Sequence, residues 1–199
     1  MEKMGKKMLG VTYGDWYDAQ SLQNPQERNK IKEKQGCYKW WAKEKEVDLL
    51  LDRLLKNTGL KKNTVKECLE FEDGYYCVYV GEGKNVRERI KKHISGKVRT
   101  STERKAIASL MEFFANPEKE VNEHFIDRFM VQPIYVKDGF ERKNIETVLI
   151  NEADYLRILN YEKNYHNLAE KTRQNLFDAK RKAEKKNPTK FKKKISRKK

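Results

Sequence analysis

Cysteine is scarce in this sequence. Its 199 residues include only Cys37, Cys68 and Cys77, an odd number with no CxxC pair. The three histidines stand at no zinc-ligand spacing to these cysteines. The composition therefore excludes a disulfide-stapled domain and gives no indication of a structural zinc site.

Long hydrophobic runs are also absent. No apolar stretch approaches the roughly 18 residues that a membrane-crossing helix needs. Residues 1–7 contain no apolar core of the kind that a secretory signal peptide carries. We expect a soluble, cytoplasmic protein with no membrane partner.

Acidic residues are too few to balance the basic ones: 45 Lys and Arg face 30 Asp and Glu, a formal charge of +15. Residues 180–199 hold twelve Lys or Arg and a single acid, so this segment carries most of the excess. We expect it to be disordered, or helical only as far as Asn187, and to add non-specific affinity for a polyanion. A purely solubilising tail is the alternative. A membrane surface fits less well, because Phe191 and Ile195 are its only large apolar residues.

The remaining pattern predicts a modest core inside a charged surface. Hydrophobic residues make up 37% of the chain, but three Trp, ten Tyr and eight Phe argue against a wholly disordered protein. Alternating or aromatic-rich segments predict strands at 36–42, 75–81 and 131–136, the last at a sheet edge because it contains Pro133. Helical periodicity and caps predict helices at 44–57, from Thr64, from Asn85 to Ile94, from Ser101 or Thr102, and at 140–153.

The chemistry-bearing residues fall on two of these helices. Arg89 and His93 are four residues apart, so they share one flank of the helix that follows Asn85. Arg can bind a phosphate through two hydrogen bonds, and His can move a proton. Glu146 follows inward-facing Ile145 and could hold a divalent cation. A solvated basic face and a solvated glutamate are the alternatives on these residues alone.

Together these residues resemble the GIY-YIG nuclease family. The strand motifs are Gly36-Cys37-Tyr38 and Tyr79-Val80-Gly81, and Arg89 and His93 stand at the family's spacing after the second motif. Glu146 opens a Glu-x-x-Leu-Ile pattern, and an asparagine follows, for which Asn160 is the first candidate and Asn164 the second. The resemblance covers roughly residues 36–160.

One departure concerns spacing. Family members usually join the two motifs by a short hairpin, whereas 40 residues separate Tyr38 from Tyr79 here. The interval contains the predicted Leu-rich helix, so the resemblance points to the restriction-enzyme and phage or mobile-element branches. It implies an α/β (α+β) fold with a three-stranded, mainly antiparallel sheet flanked by helices. The chain would divide into an N-terminal arm (1–34), a nuclease domain (35–165) with a helical insertion (43–72), and a basic, partly disordered C-terminal helix or tail (166–199).

The resemblance also implies roles for the site residues. Glu146 would hold Mg²⁺ or Mn²⁺, and Arg89 would neutralise the scissile phosphate. Tyr38 would act as general base or orient the water, with Tyr79 hydrogen-bonded beside it, while His93 would accept a proton from Tyr38 or bind phosphate. Asn160 would brace the metal-bearing helix or a neighbouring strand. The predicted nucleic-acid contacts are Lys84, Arg87, Lys92, Arg104 and Lys105.

The function predicted from these roles is metal-dependent, site-specific cleavage of double-stranded DNA in a restriction or mobile-element system. Cutting a palindrome would require a homodimer or sequential nicking. Two alternatives stay open. One is a nucleic-acid-binding module without catalysis, and the other is an RNA-processing nuclease, because aromatic residues such as Trp40 and Trp41 could stack on bases.

Overall fold

Six β-strands form one antiparallel sheet within residues 10–160, 166 and 168–192, the part of the chain that the computed structural model describes. The strands are β1 (Val11–Tyr13), β2 (Tyr17–Asp18), β3 (Gly36–Lys43), β4 (Phe71–Glu72), β5 (Tyr75–Gly83) and β6 (Met130–Val136). Their order is β1-β6-β3-β5-β4, and β2 also pairs with β6. The predicted three-stranded sheet is therefore wrong in number. The three missed strands have two or three residues each, too few to show a period of two.

The edge position predicted from Pro133 is also wrong, because β6 lies between β3 on one side and β1 with β2 on the other. Proline lacks the N–H that an interior strand donates. Pro133 lies between the β1 pairing, which ends at Ile134, and the β2 pairing, which begins at Val131. Its carbonyl still accepts a hydrogen bond from Gly14 N at 2.8 Å. The absent N–H of Pro133 would therefore face the loop between β1 and β2. Its absence removes no hydrogen bond between strands.

The helices of the described residues surround this sheet. They are α1 (Pro25–Arg28), α2 (Glu44–Leu54), α3 (Lys62–Glu67), α4 (Val86–Ser95), α5 (Thr102–Leu110), α6 (Pro117–His124), α7 (Arg142–Ile150), α8 (Ala169–Lys186) and α9 (Pro188–Phe191), with 3₁₀ turns at Ser21–Gln23, Val98–Thr100, Ile126–Arg128 and Glu152–Asp154. None of them is long and apolar enough to cross a membrane.

Two of the predicted helix caps are present. The Asn85 side chain accepts from Glu88 N at 3.1 Å, and the Ser101 side chain accepts from Arg104 N at 3.3 Å. A cap of this kind satisfies a backbone donor that the first turn leaves open. The predicted start at Thr64 is wrong, because α3 begins at Lys62 and Thr64 lies inside it.

The two faces of the sheet carry separate cores. Tyr38 and Trp40 of β3 face one core, which α2, α4, α5 and α8 complete, whereas Cys37 and Trp41 face a smaller core completed by α7. A β-bulge between Trp40 and Trp41 pairs Trp40 with Tyr79 but Trp41 with Cys77, so Val78 is the extra residue. The alternation along β3 and β5 therefore directs Tyr38 and Tyr79, the tyrosines of the two motifs, into the larger core.

The C-terminal segment packs onto that larger core. Leu176 and Ala183 of α8 and Phe191 of α9 are buried, and the Phe191 ring lies 6.1 Å from that of Phe114. Lys105 of α5 forms an ion pair with Glu184 of α8. The disorder predicted from residue 180 onward is wrong up to Lys192. The alternative helix is present and ends at Lys186, capped by Asn187. Residues 193–199 of the basic tail lie outside the described residues.

Replacing Phe191 with Ala tests this docking. A buried Phe→Ala change removes roughly 3–5 kcal/mol of stability through lost burial and the cavity that remains. We expect a loss near the lower end of that range in urea unfolding, because α9 is short and part of it can detach. Phe177→Ala on α8 is the matched control, since 37% of Phe177 is exposed. Equal losses for the two variants would contradict the docked tail.

Candidate active site

Two motif glycines make room for close contacts within the sheet. Gly36 lies so near β6 that a Cβ atom at this position would come 2.1 Å from the Ile134 carbonyl oxygen. Gly81 is the cross-strand partner of Tyr38, and a Cβ there would lie 2.3 Å from the Tyr38 hydroxyl oxygen. Real Cβ contacts are never so short, because the atoms would overlap. The absence of a side chain at Gly36 therefore lets β6 pack close to β3. The absence of a side chain at Gly81 lets the Tyr38 ring lie across the backbone of β5.

The Tyr38 hydroxyl lies at the centre of a buried group of polar side chains. It makes a 2.7 Å hydrogen bond with His93 Nε2, and both residues are fully buried. The ring centroids of Tyr38 and Tyr79 are 6.4 Å apart. Because Asn85 fixes the start of α4, Arg89 and His93 both face β3 and β5 from one flank of that helix. The structure thus brings together four of the five predicted catalytic residues.

Arg89 supplies the positive charge of this group. Its guanidinium is half-buried and close enough to the Tyr38 hydroxyl to lower the pKa of that phenol against the effect of burial. Burial lowers the pKa of Arg89, but the neighbouring Tyr38, Tyr79 and Glu82 outweigh that effect and raise it. The guanidinium therefore stays charged where a phosphate oxygen could approach it.

The tyrosine and histidine are both neutral at rest. Burial, followed by the nearby Tyr79, raises the pKa of Tyr38 well above its usual value, although Arg89 opposes the shift. Burial, followed by the charges of Arg89 and Arg104, lowers the pKa of His93 well below its usual value. A neutral imidazole beside a neutral phenol can accept the phenolic proton. Tyr38 can therefore act as a base only through a partner such as His93.

Two residues of this site were missed by the sequence reasoning. Ser101 Oγ lies 2.9 Å from His93 Nδ1, and Glu103 Oε2 lies 2.8 Å from the same nitrogen. Glu103 stands among basic residues and reads as one acid in a solvated segment. Its helical register is the signal that could have identified it, since Ala106, Ile107 and Leu110 at i+3, i+4 and i+7 are also buried.

Asn160 is bonded to the outer edge of β5. Its Oδ1 accepts from Val80 N at 2.7 Å, and its Nδ2 donates to Val80 O at 2.8 Å. Leu159 N adds a bond to Val78 O at 3.0 Å. A strand edge whose groups are paired in this way stays extended. Asn160 therefore braces the strand next to Tyr79, while Asn164 lies outside the described residues.

Glu146 lies on α7, against the other face of the sheet. Ionic contacts fix this helix at both ends. At its start, Arg142 forms an ion pair with Glu82 of β5, the residue next to Gly81. After its end, Glu152 accepts from Lys39 of β3 at 2.9 Å. Arg142 and Glu146 share one flank of α7, so Glu146 is held one turn from the end of β5.

Few protein groups near Glu146 could serve as ligands of a metal ion. Within the described residues, no group of three or more His, Cys, Asp or Glu side chains could hold a metal ion. Mg²⁺ keeps several waters and is often held by one or two carboxylates and substrate phosphates. A partly exposed carboxylate such as that of Glu146 fits this mode of binding, whereas a cage made only of protein ligands does not.

The predicted nucleic-acid contacts divide into two groups. Lys84 and Lys92 are exposed beside α4. Arg87 instead donates to Ile31 O at 2.5 Å and pairs with Glu33 at 2.6 Å, so it ties the N-terminal segment to α4. Lys105 is paired with Glu184 in the contact to α8.

The DNA contact predicted for Arg104 requires correction. Arg104 is 1% exposed and donates to His93 O at 2.8 Å, Ile94 O at 3.1 Å and Glu118 O at 3.0 Å. Arg near a helix C-terminus satisfies carbonyls that have no partner inside the helix. Arg104 thus fixes the end of α4 against α5 and is not available to a phosphate.

A comparison with known families agrees with this arrangement. A family model described as the GIY-YIG catalytic domain matches residues 36–184. The matched range begins at β3 and ends in α8, and it includes every predicted site residue. No curated protein and no solved structure gives a match.

The contact between Gly81 and Tyr38 can be tested by a double-mutant cycle. Gly81→Ala places a methyl group against the Tyr38 hydroxyl, and overpacking of this kind costs roughly 1–3 kcal/mol. In a Tyr38→Ala background, most of that cost should disappear because the ring is gone. Chemical denaturation of the four proteins measures the coupling. An equal cost of Gly81→Ala in both backgrounds would show that the ring does not require this glycine.

Proposed function

Because the chain belongs to the GIY-YIG family of nucleases, we propose that it is a metal-dependent endonuclease that cuts double-stranded DNA at defined sites. The observation that carries this proposal is the buried 2.7 Å hydrogen bond between Tyr38 and His93, with the charge of Arg89 lowering the pKa of the same hydroxyl against the effect of burial. A catalytically silent DNA-binding module would not need a buried imidazole and a half-buried cation beside one phenol. The arrangement is that of a nucleophile-activating site.

The reaction follows from what these side chains can do. A water oxygen attacks the phosphorus atom, and the bond to the leaving oxygen breaks. Tyr38 takes a proton from that water after passing its own proton to His93 Nε2. Arg89 stabilises the negative charge that builds on the phosphate oxygens. The buried phenol alone is too weak an acid for this step, so His93 is the group that makes it feasible.

Glu146 would hold Mg²⁺, or Mn²⁺ in its place, together with phosphate oxygens and water. When bound, the cation supplies further charge stabilisation at the scissile phosphate. The ionic contacts at both ends of α7 would keep the Glu146 carboxylate at one position relative to β5. Asn160 would serve the same purpose from the outer edge of β5.

The charge distribution favours a nucleic-acid substrate, and the one that we propose is double-stranded DNA. Lys84 and Lys92 are exposed beside the site, and residues 82–105 hold nine basic residues against three acids. Such a surface would follow the phosphate backbone without reading sequence. Site selection would come from the N-terminal segment, the inserted helices α2 and α3, the basic C-terminus or a homodimer. The biological setting we propose is a restriction or mobile-element system.

Arg89→Ala tests the phosphate-stabilising role. Removing a preorganised charge from the transition state lowers turnover by about 10²–10³-fold. We expect a loss of that size in single-turnover cleavage of plasmid DNA, with the dissociation constant changed much less. Lys92→Ala is the control, because it removes an exposed charge from the same helix. A loss confined to DNA affinity would make Arg89 a docking residue.

Glu146→Ala tests the metal site and the substrate together. With Mg²⁺ present, wild-type protein should convert supercoiled plasmid to discrete fragments, EDTA should stop the reaction, and the variant should bind DNA without cutting it. Glu141→Ala, an exposed glutamate beside the same helix, should cut normally.

Structured RNA and single-stranded DNA are included as competing substrates in the same assay. Retained metal-dependent cleavage by the Glu146 variant would refute the metal assignment. Preferential cleavage of RNA would replace DNA as the substrate. Salt-sensitive DNA binding without cleavage of any substrate would support the silent binding module.

A further inference from the structure

A cleft that the mechanism above does not use lies at the end of the sheet where β5 leaves for α4. It has a volume of about 420 Å³ and is lined by Lys34, Gln35, Val136, Lys137 and Asp138. The first two of these residues precede β3, and the other three end β6 and follow it. Binding sites for small ligands measure roughly 300–1,000 Å³. The cleft therefore has room for a phosphate group with an attached sugar.

Backbone hydrogen bonds fix both sides of the cleft. Val136 N donates to Gln35 O at 3.1 Å, so the segment before β3 is joined to the end of β6. Lys137 N donates to Gly10 O at 2.8 Å, which holds the next residue as well. A site whose backbone is already fixed gives up little conformational entropy when it binds a ligand. The cleft is therefore preorganised.

The cleft adjoins the residue that would stabilise the scissile phosphate. Gly36, the first residue of β3, pairs with Gly83 at the end of β5. A Cβ atom added to Gly83 would lie 3.0 Å from Arg89 Cβ, so the stem of Arg89 packs on this glycine. Lys34 O also accepts from Val86 N at 2.9 Å, in the first turn of α4. Because cross-strand partners lie only about 5 Å apart, the cleft and Arg89 belong to one small region of the surface.

The charge of the cleft favours an anion. Lys34 and Lys137 are exposed, and neither forms an ion pair with another described residue. Lys105, by contrast, is paired with Glu184 and is held away from a ligand. Asp138 is the single acid in the lining, so two ammonium groups face one carboxylate and the net charge is positive. Lysines without a carboxylate partner can neutralise a phosphate and release its counterions.

We propose that this cleft binds one phosphate of the DNA backbone next to the active site. Lys34 and Lys137 neutralise the charge of that phosphate, and the side-chain amide of Gln35 donates a hydrogen bond to it. This inference rests on the proposed function, because it takes DNA as the ligand. Contacts to phosphate position a duplex without reading its sequence. The cleft would thus set where the DNA lies relative to Arg89, and no bond is made or broken in it.

The first test removes the two cations together. The affinity of Lys34→Ala/Lys137→Ala for a defined DNA duplex is measured in EDTA, so that the duplex stays intact, over a series of salt concentrations. Each phosphate that a protein neutralises contributes about −0.9 to the slope of log K against log salt. We expect the slope of the variant to fall in magnitude by about that amount, and its dissociation constant to rise.

Three control variants accompany this measurement. Lys34→Arg/Lys137→Arg keeps both charges and should keep the salt slope of the wild type. Lys119→Ala removes an exposed charge from α6 and should leave the slope unchanged. Asp138→Asn removes the acid of the cleft, so binding should become tighter. An alanine pair whose slope matches that of Lys119→Ala, or weaker binding by Asp138→Asn, would overturn the proposal.

A small ligand tests the cleft in the unmodified protein. A thymidine dinucleotide contains one phosphodiester, and its titration into nitrogen-15-labelled wild-type protein reports contact at each backbone amide. We expect chemical-shift changes concentrated at Gln35, Val136 and Lys137. Changes there with inorganic phosphate but not with the dinucleotide would overturn the proposal in favour of a site for a free anion. No change at these amides with either ligand would overturn it outright.

Neither measurement uses a metal ion or cleavage, so the cleft and the nuclease activity are tested separately. A protein that loses its salt slope with the two lysines but cuts no substrate would contradict the proposed nuclease alone. A protein that cuts DNA, but whose alanine pair binds DNA with the affinity and salt slope of the wild type, would contradict the phosphate cleft alone.

Discussion

The contact on which this site depends is the Tyr38 ring lying across the backbone of Gly81. It requires that β3 and β5 pair in one register, because a shift of one residue would turn Tyr38 toward the opposite core. With the register fixed, the Tyr38 hydroxyl can reach His93 Nε2 at 2.7 Å on α4. Gly81 and the two motif tyrosines, Tyr38 and Tyr79, thus form one packing arrangement across β3 and β5.

The second constraint is that the candidate site residues lie on both faces of the sheet. Tyr38, Arg89 and His93 belong to one face, and α7 with Glu146 packs on the other. Glu82 near the end of β5 connects them, since it pairs with Arg142 of α7 and, after Tyr38 and Tyr79, is the third neighbour that raises the pKa of Arg89. A metal held by Glu146 and a phosphate held by Arg89 would therefore meet at the end of the sheet, where β5 leaves for α4.

The predictable part of this protein is the part governed by local pattern. The strands β3, β5 and β6 and the caps Asn85 and Ser101 follow from alternation and side-chain chemistry within a few residues. The short strands β1 and β2 are held by partners more than 110 residues away, so no local pattern reveals them. The same limit explains Arg104 and Glu103. Both look like surface residues of a basic helix. The position of α4 shows that Arg104 is buried, and the only sequence signal for Glu103 is its register with the buried Ala106, Ile107 and Leu110.

Several charged side chains are buried in this fold, and we interpret them as fixing the positions of the helices rather than adding stability. On the face opposite Tyr38, Lys39 is 2% exposed and bonds Glu70 and Glu152 at 2.9 Å, and Arg157 bonds Glu70 at 2.7 Å. Well-packed apolar residues often stabilise such positions at least as much. These ion pairs instead fix the orientation of α7, because they tie its C-terminal end to the middle of β3. Arg104 does the same for the end of α4. Each helix that carries a candidate catalytic residue is thus fixed by a buried cation, so the charges maintain the geometry of the site.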